Sequence, residues 1–425
     1  MTDILENPRS GCALHGALQT VQAVQGLIPI VHSNPGCGVH SYLSRSAGGT
    51  AAGNGYRTPG SGLQERHIIF GGASRLREQI KNTAKVFEGE SYIVLNSCAS
   101  AMVGDDIDAM TKEAAEQGIP VIDTLIAGFH GDVHYGYEHV VLDLIKQLAD
   151  SDEAVEKNDN MVNLLGILPG KDITAQGDLD ELVRILEGIG LKVNRFFGLN
   201  GGLEQFKNAG SAVLTITFSN WGRQPAKYLE KRGIPHINLS SVPMGIVEIK
   251  ELIDKIGEYI TLSETDIEQF LKKEKALFDS YLYAANPVIE EIKYGGPVAI
   301  VADSYRAIQY AGFLRKYLGV PVQTIIYTDP YTESKEVEEE TVKQLQSLAV
   351  NVYSSQDTKE ISGHIKRGGI EYLLGSSLEE KTAKELGILF LPISYPVFGR
   401  LYLNKTYAGT RGAIAFVEDY IAAVK

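Results

Sequence analysis

The chain has 425 residues, 44% of them hydrophobic, a formal net charge of −13 and only three cysteines. That length supports two or three domains with substantial cores, and the acidic balance, with no basic run, argues against nucleic acid or an anionic membrane as partner. Met1 to Pro8 lacks the charged and apolar regions of a signal peptide, no apolar run reaches the roughly 18 residues of a spanning helix, and an odd cysteine count suits a reducing compartment, so a cytoplasmic protein with free thiols is expected.

From the amino terminus, Gly11-Cys12 opens the first of three short elbows rich in Gly, Ser or Pro. The strand-like run Leu27 to Val31 leads into His32-Ser33-Asn34-Pro35-Gly36-Cys37-Gly38, and the run Tyr92 to Leu95 leads into Asn96-Ser97-Cys98-Ala99-Ser100. Thiols at the ends of strands can converge on one point. The intervals of twenty-four and sixty residues are too long for the local CxxC pairs of a zinc ribbon or a thioredoxin-like site, so a shared ligand has to be assembled by the fold. A free cysteine can also pack as a small buried hydrophobe. The flanking glycines favour metal, because they let backbone N–H groups approach and hydrogen-bond cluster sulfurs. Cys12, Cys37 and Cys98 are therefore the candidate thiolate ligands of an iron–sulfur cluster, with Gly11, Ser33, Gly36 and Ser100 supporting them and His15, His32 and His40 as neighbouring hydrogen-bonding groups. Three thiolates fall one short of the usual four, which places the cluster at an interface with another chain.

The glycine-dense stretch Gly48 to Gly62 lacks the GxGxxG order and reads as a mobile surface loop, a candidate lid or docking loop rather than a phosphate cradle. Gly104-Asp105-Asp106 precedes the helical run Ile107 to Gln117 and reads first as an amino-terminal cap. His130-Gly131-Asp132-Val133-His134, taken as extended, puts alternate side chains on one side, which suits a polar loop, a metal pair, or proton donors beside a reducing site, with His130 and His134 in that last role.

Beyond it, strand and helix signals alternate: Val162 to Leu168, Asp178 to Gly188, Leu191 to Val193, Ala212 to Thr217, Ala226 to Arg232 and Pro235 to Leu239, then one helical stretch from Ile246 to about Asn286. Trp221-Gly222-Arg223 follows a strand at its carboxyl end, where ligands of α/β sheets gather, so Arg223 is placed to face an anionic substrate or a cavity between domains. Gly295-Gly296-Pro297 reads as a joint before Val298 to Ala302, Tyr305 to Leu318, Val322 to Tyr327, Val337 to Leu348 and Tyr372 to Leu374. The fold class is α/β with parallel sheets flanked by helices. The expected division is a cysteine-bearing cluster domain over 1–160, a second domain over 161–294, and a third over 295–425 with a carboxyl-terminal helix.

Taken in order, several segments resemble the component 1 proteins of nitrogenase and their relatives, most closely the β-type chains. Cys98-Ala99-Ser100-Ala101-Met102-Val103-Gly104-Asp105-Asp106 is similar to the family's Cys-x-Ser-x-x-x-Gly-Asp-Asp; Phe70-Gly71-Gly72, Gly177-Asp178-Leu179-Asp180-Glu181-Leu182 and Tyr395-Pro396-Val397-Phe398-Gly399-Arg400 also match. The resemblance spans nearly the whole chain. It implies three Rossmann-like domains, a 4Fe–4S or P-cluster-like 8Fe–7S cluster shared across a subunit interface, an α-type component 1 chain or a second copy as partner, and an ATP-dependent iron protein as electron donor.

The chain also departs from that pattern. Gly128 stands before Phe129 where β-type chains carry a serine, Cys37 is followed by Gly38 as in α-type chains, the terminal Phe-Asp-Arg becomes Phe398-Gly399-Arg400, and Thr217 stands where α-type chains hold their large metal cofactor with a cysteine. These departures favour a nitrogenase-like reductase subunit that relays electrons to a reduction site, or a cofactor-assembly scaffold, over a true nitrogenase β subunit, with the reductase preferred. A non-catalytic scaffold for metal-cofactor assembly, a true nitrogenase β subunit and a metal-free binding protein are the other readings.

Overall fold

The computed structural model describes residues 9–46, 58–149, 157–292, 296–329 and 334–424. Met1 to Pro8, most of the Gly48 to Gly62 stretch and Gly295 lie outside them. Among the described residues are three sheets in successive stretches of chain. The first has the order β1-β2-β3, from Leu27–His32, Ser91–Asn96 and Val121–Thr124. The second runs β5-β4-β6-β7, with β4 Met161–Leu165, β5 Lys192–Arg195, β6 Leu214–Thr217 and β7 His236–Asn238. The third runs β10-β9-β8-β11-β12, with β8 Val298–Ala302, β9 Val322–Tyr327, β10 Asn351–Ser354, β11 Tyr372–Gly375 and β12 Leu389–Pro392.

Every ladder is parallel, for example Leu27↔Ser91 to His32↔Asn96 between β1 and β2. Parallel sheets covered on both faces need near-continuous apolar strands, and β1, β2 and β8 are buried along their whole lengths. One core joins the first two sheets through Val31, Leu95, Tyr137, Leu164 and Ile216. A second surrounds the third sheet, with Ile300, Tyr310, Leu374 and Phe416.

Two features position the site. The helix Ala13–Gln22 lies against Val133–Ala149 so closely that a Cβ on Gly16 would collide with the Val133 backbone, and one on Gly136 with the backbone of Ala13 and Ala17. Hydrogen bonds Ala13 N to Gly131 O (2.8 Å) and Val133 N to Ser10 O (3.0 Å) fix the register of that pair. Farther along, the Asp178 carboxylate accepts from Thr406 Oγ1 (2.8 Å) and Tyr407 N (2.9 Å) and pairs with Arg306 (2.8 Å). The Gly177-Asp178 motif thus ties the second sheet's helix to the chain entering the carboxyl-terminal helix.

Several elements differ from expectation. His130 to His134 is not extended: Gly128–His130 is a 3-10 turn and His134 lies in the first turn of Val133–Ala149. The Ile246 to Asn286 stretch is two helices, Ile246–Gly257 and Glu264–Ile292. The end of the glycine-dense stretch is anchored rather than loose, since Val31 N donates to Pro59 O (2.9 Å), Ser61 N donates to Val31 O (3.0 Å), and Ser61 is buried. Among the described residues, no helix is long and apolar enough to cross a membrane.

Candidate metal centre and adjoining cavity

Each cysteine sits at a helix start. Cys12 is the N-cap of Ala13–Gln22, Cys37 falls in the first turn of Pro35–Ser46, and Cys98 is the first residue of Cys98–Val103. Helix amino termini carry unsatisfied N–H groups and a partial positive charge, which favour thiolate over thiol. The sulfurs meet at Gly128: a Cβ built there would lie 3.0 Å from Cys98 Sγ and 3.1 Å from Cys12 Sγ. Cys37 lies within electrostatic reach of Cys12 and Cys98, whose charges push its thiol further up after burial. Burial pushes the Cys12 and Cys37 thiols up in pKa, while Cys98 is exposed.

No group of three or more His, Cys, Asp or Glu among the described residues is arranged to hold a single metal ion. Sulfurs on one tetrahedral ion must each come within about 2.3 Å of it; the gathering here, in which the missing side chain of Gly128 lets two sulfurs come close to its backbone, fits a larger polynuclear group. The residues present suit an iron–sulfur cluster.

The turn carrying Cys98 is locked from behind. Ser97 N donates to Ser100 Oγ (2.9 Å), Ser100 N to Ser97 Oγ (3.3 Å), and Ser100 Oγ donates to the His32 carbonyl at the end of β1 (2.9 Å). Asp105 pairs with His32 Nε2 (2.9 Å) and accepts from Gly72 N (2.6 Å), so the Gly-Asp-Asp motif clamps the Phe70-Gly71-Gly72 turn onto the same strand end. Asp106 caps the next helix by accepting from Ala109 N (3.0 Å), the capping expected of this pair. Ser33 lowers the Cys37 thiol through a side-chain hydrogen bond, partly offsetting burial. Gly11, with φ of +51°, sets the left-handed turn into Cys12. Gly36 and Gly38 are not crowded: a Cβ at Gly36 would meet only Asn34 Oδ1 at 3.7 Å, and one at Gly38 nothing within 4 Å. His15 and His40 stack, with Nδ1 of His40 3.0 Å from Nε2 of His15. Burial and then His40 hold His15 down at about 4, so it is neutral beside Cys12.

The rim is apolar and open. Val39, Ile69, Phe70, Met102 and Phe129 are all exposed, Phe70 at 86% and Met102 at 82%. Exposure of large apolar side chains beside a functional group marks a contact surface.

Behind the same turn lies a cavity of about 580 Å³. His130 and Asp132 line it from the first segment, Trp221 and Arg223 from the residues after β6, and Ser334 and Gln356 from the third. The 3-10 turn Gly128–His130 thus touches thiols at one end and cavity at the other. His134 does not face open space. It is fully buried, with Nδ1 3.0 Å from Asp132 and Nε2 2.9 Å from Asp303. Burial pulls its pKa down, but the two carboxylates overcome this and hold it at about 10. Asp303 lies well below the usual carboxylate range despite burial, held by Lys171 and His134, and Asp329 is pushed up to about 6 by burial and by Asp303. Sequence reasoning did not single out Asp303, Lys171 or the lining from the third segment. The available signal was an acid directly after the wholly apolar strand β8, at the point where strand order reverses.

Parallel sheets, three cysteines at helix starts and a cavity where three segments meet define an α/β protein with its thiols beside a cavity. The chain belongs to the nitrogenase component 1 type oxidoreductase family, which matches residues 12–425. It is 23% identical to the nitrogenase molybdenum-iron protein beta chain of Methanococcus maripaludis, over 97% of this chain and 92% of that one. It is also 23% identical to the nitrogenase iron-molybdenum cofactor biosynthesis protein NifE of a Nostoc species, over 98% of this chain and 83% of that one. A solved structure, nitrogenase Cp1 at pH 6.5, has the same fold, with a TM-score of 0.81 at 20% identity over 100% of this chain and 94% of that one.

Proposed function

We propose that this chain is a subunit of a nitrogenase-like reductase in which Cys12, Cys37 and Cys98 hold an iron–sulfur cluster at the contact with a second component 1 chain, α-type or a second copy. The observation that carries this reading is the meeting of Cys12 and Cys98 at Gly128, with Cys37 beside them, on a face rimmed by exposed apolar side chains. When bound, such a cluster supplies electron relay at a potential set by burial and by hydrogen bonds to its sulfurs.

The chain's own residues do the rest. Metal ligation takes the thiols as thiolates, against the burial that pushes Cys12 and Cys37 up. The Ser97–Ser100 box and the His32–Asp105 pair fix where Cys98 stands. Exposed Cys98 and its apolar surroundings leave the outer side to the partner, which completes the ligand set. Reduction takes place in the adjoining cavity, where His130 is the proton donor. His134 serves a different purpose: it keeps its proton at neutral pH and holds Asp132 in the cavity wall. Electrons come from an ATP-hydrolysing iron protein, and the protein works in the cytoplasm.

The likeness to NifE favours a second reading, a non-catalytic scaffold on which a metal cofactor is matured. Turnover separates the two. The anaerobically purified assembly, supplied with an iron protein, ATP and a chemical reductant that keeps the iron protein reduced, is expected to consume that reductant continuously in the presence of substrate. An assembly that loads and releases metal but never turns over would replace the reductase reading with the scaffold one.

A further inference from the structure

Two side chains of the cavity wall each carry a buried N–H with no hydrogen-bond partner. Trp221 is 6% exposed and its indole Nε1 has no hydrogen-bond partner; the Nε of Arg223, two residues on, has none either. A buried donor left without an acceptor costs about 1–3 kcal/mol, so such groups persist where something else satisfies them. Both side chains line the same space at the carboxyl end of β6, and Lys227 adds a third donor one helical turn beyond Arg223. Burial lowers the Arg223 pKa, and the charge of Glu340 opposes this only in part.

The two described acids of the wall each have a partner. Asp132 is committed to His134, and Glu138 accepts from Gln224 N at 3.3 Å. A guanidinium presents a planar fork that matches an oxyanion, and the apolar surfaces of Trp221, Tyr135 and Val337 suit an organic body. Pockets of some 300–1,000 Å³ take small organic ligands, and at about 580 Å³ this one falls in that range.

We propose that the cavity binds a small organic molecule bearing an oxyanion, carboxylate or phosphate, whose oxygens accept hydrogen bonds from Arg223 and Trp221. The inference rests on the reading of this cavity as the place where substrate sits. Benzoate, phenyl phosphate and neutral benzamide are the probes, titrated calorimetrically into the anaerobically purified assembly. Emission of Trp221, the only tryptophan in the sequence, gives a second readout in the full-length chain.

At least one anion is expected to saturate, with benzamide at least tenfold weaker; which anion binds tighter identifies the carboxylate or the phosphate source. Arg223→Gln is expected to weaken anion binding at least tenfold, and Arg223→Lys, which keeps the charge, to weaken it less. If Arg223→Gln does not fold, the wild-type comparison of anion with benzamide decides. Saturation by neither anion, equal binding of benzamide, or undiminished binding in a folded Arg223→Gln variant overturns the proposal. An assembly replete in iron that binds neither anion defeats this inference alone, whereas an assembly without iron that still binds one defeats only the cluster reading.

Discussion

His134 Nε2 lies 2.9 Å from Asp303 Oδ2, joining the helix that starts beside the thiols to the end of the first strand of the third sheet. With Asp132 on the other ring nitrogen, the buried imidazole is held as a cation with its pKa raised to about 10. A group whose folded pKa lies above its unfolded value, about 6.5 for histidine, contributes stability that is full below the lower value and lost as pH rises through the upper one. Urea midpoints of the wild type are therefore expected to fall between pH 7 and pH 10.5, and those of His134→Gln to start lower and change less. Asp303→Asn removes one partner of a buried charge, a change that costs roughly 3–5 kcal/mol. A His134→Gln protein with the wild-type midpoint at pH 7 would contradict this account.

Gly128 is tightly faced by two sulfurs, so the size of a side chain placed there matters. Valine there would drive methyl groups into the space that two sulfurs already crowd, at 3.0 and 3.1 Å from the Cβ. Gly128→Val is expected to fold but to lose at least half of its iron. Gly128→Ser adds one oxygen at the same spot and is expected to keep the iron while shifting the reduction potential, measured by a redox titration followed by paramagnetic resonance. Full iron in the valine variant would show that the sulfurs do not share this space when loaded.

The contact between Ala13–Gln22 and Val133–Ala149 depends on Gly16 and Gly136. Gly136→Val would push the helices apart and carry Cys12 with them. Overpacking of this kind costs about 1–3 kcal/mol, and iron content is expected to fall along with stability. Gly312→Ala is the control, because a Cβ there meets nothing within 4 Å, and a helical glycine replaced by alanine gains about 0.4–1 kcal/mol. Thermal unfolding of the two variants beside iron analysis checks both expectations.

Asp105 serves two partners, His32 Nε2 and Gly72 N. Asp105→Ala leaves both without an acceptor, at about 1–3 kcal/mol for each buried group, and loosens the strand end on which Ser100 anchors the Cys98 turn. Lower stability together with iron that chelators remove faster is expected. Asp106→Ala loses a cap worth about 0.5–2 kcal/mol and should leave chelator resistance unchanged, since Asp106 caps the following helix.

Much of this architecture is legible from local pattern. The apolar runs of β1, β2 and β8, the elbows after β1 and β2 that carry Cys37 and Cys98, and the Gly-Asp-Asp cap are written within a few residues of where they act. The matching segments also pointed to the family that the whole-chain comparison establishes. What local pattern could not carry was pairing across the chain. Nothing near His134 announces Asp303, and taking 130–134 as extended overlooked Val133 as a helix start, which turns His134 inward. Glycine was a mixed signal: Gly128 is crowded by sulfur, while Gly36 and Gly38 have room for a side chain.

Iron and acid-labile sulfide per chain, measured on the assembly purified without oxygen, test the central claim most directly when wild type is set beside Cys12→Ala, Cys37→Ala and Cys98→Ala. The wild type is expected to contain both elements in comparable amounts, and each variant to lose most of both while keeping its fold by circular dichroism. Full iron and sulfide in the three folded variants, or a wild type purified with its partner that contains neither, would contradict the assignment of these thiols to a cluster.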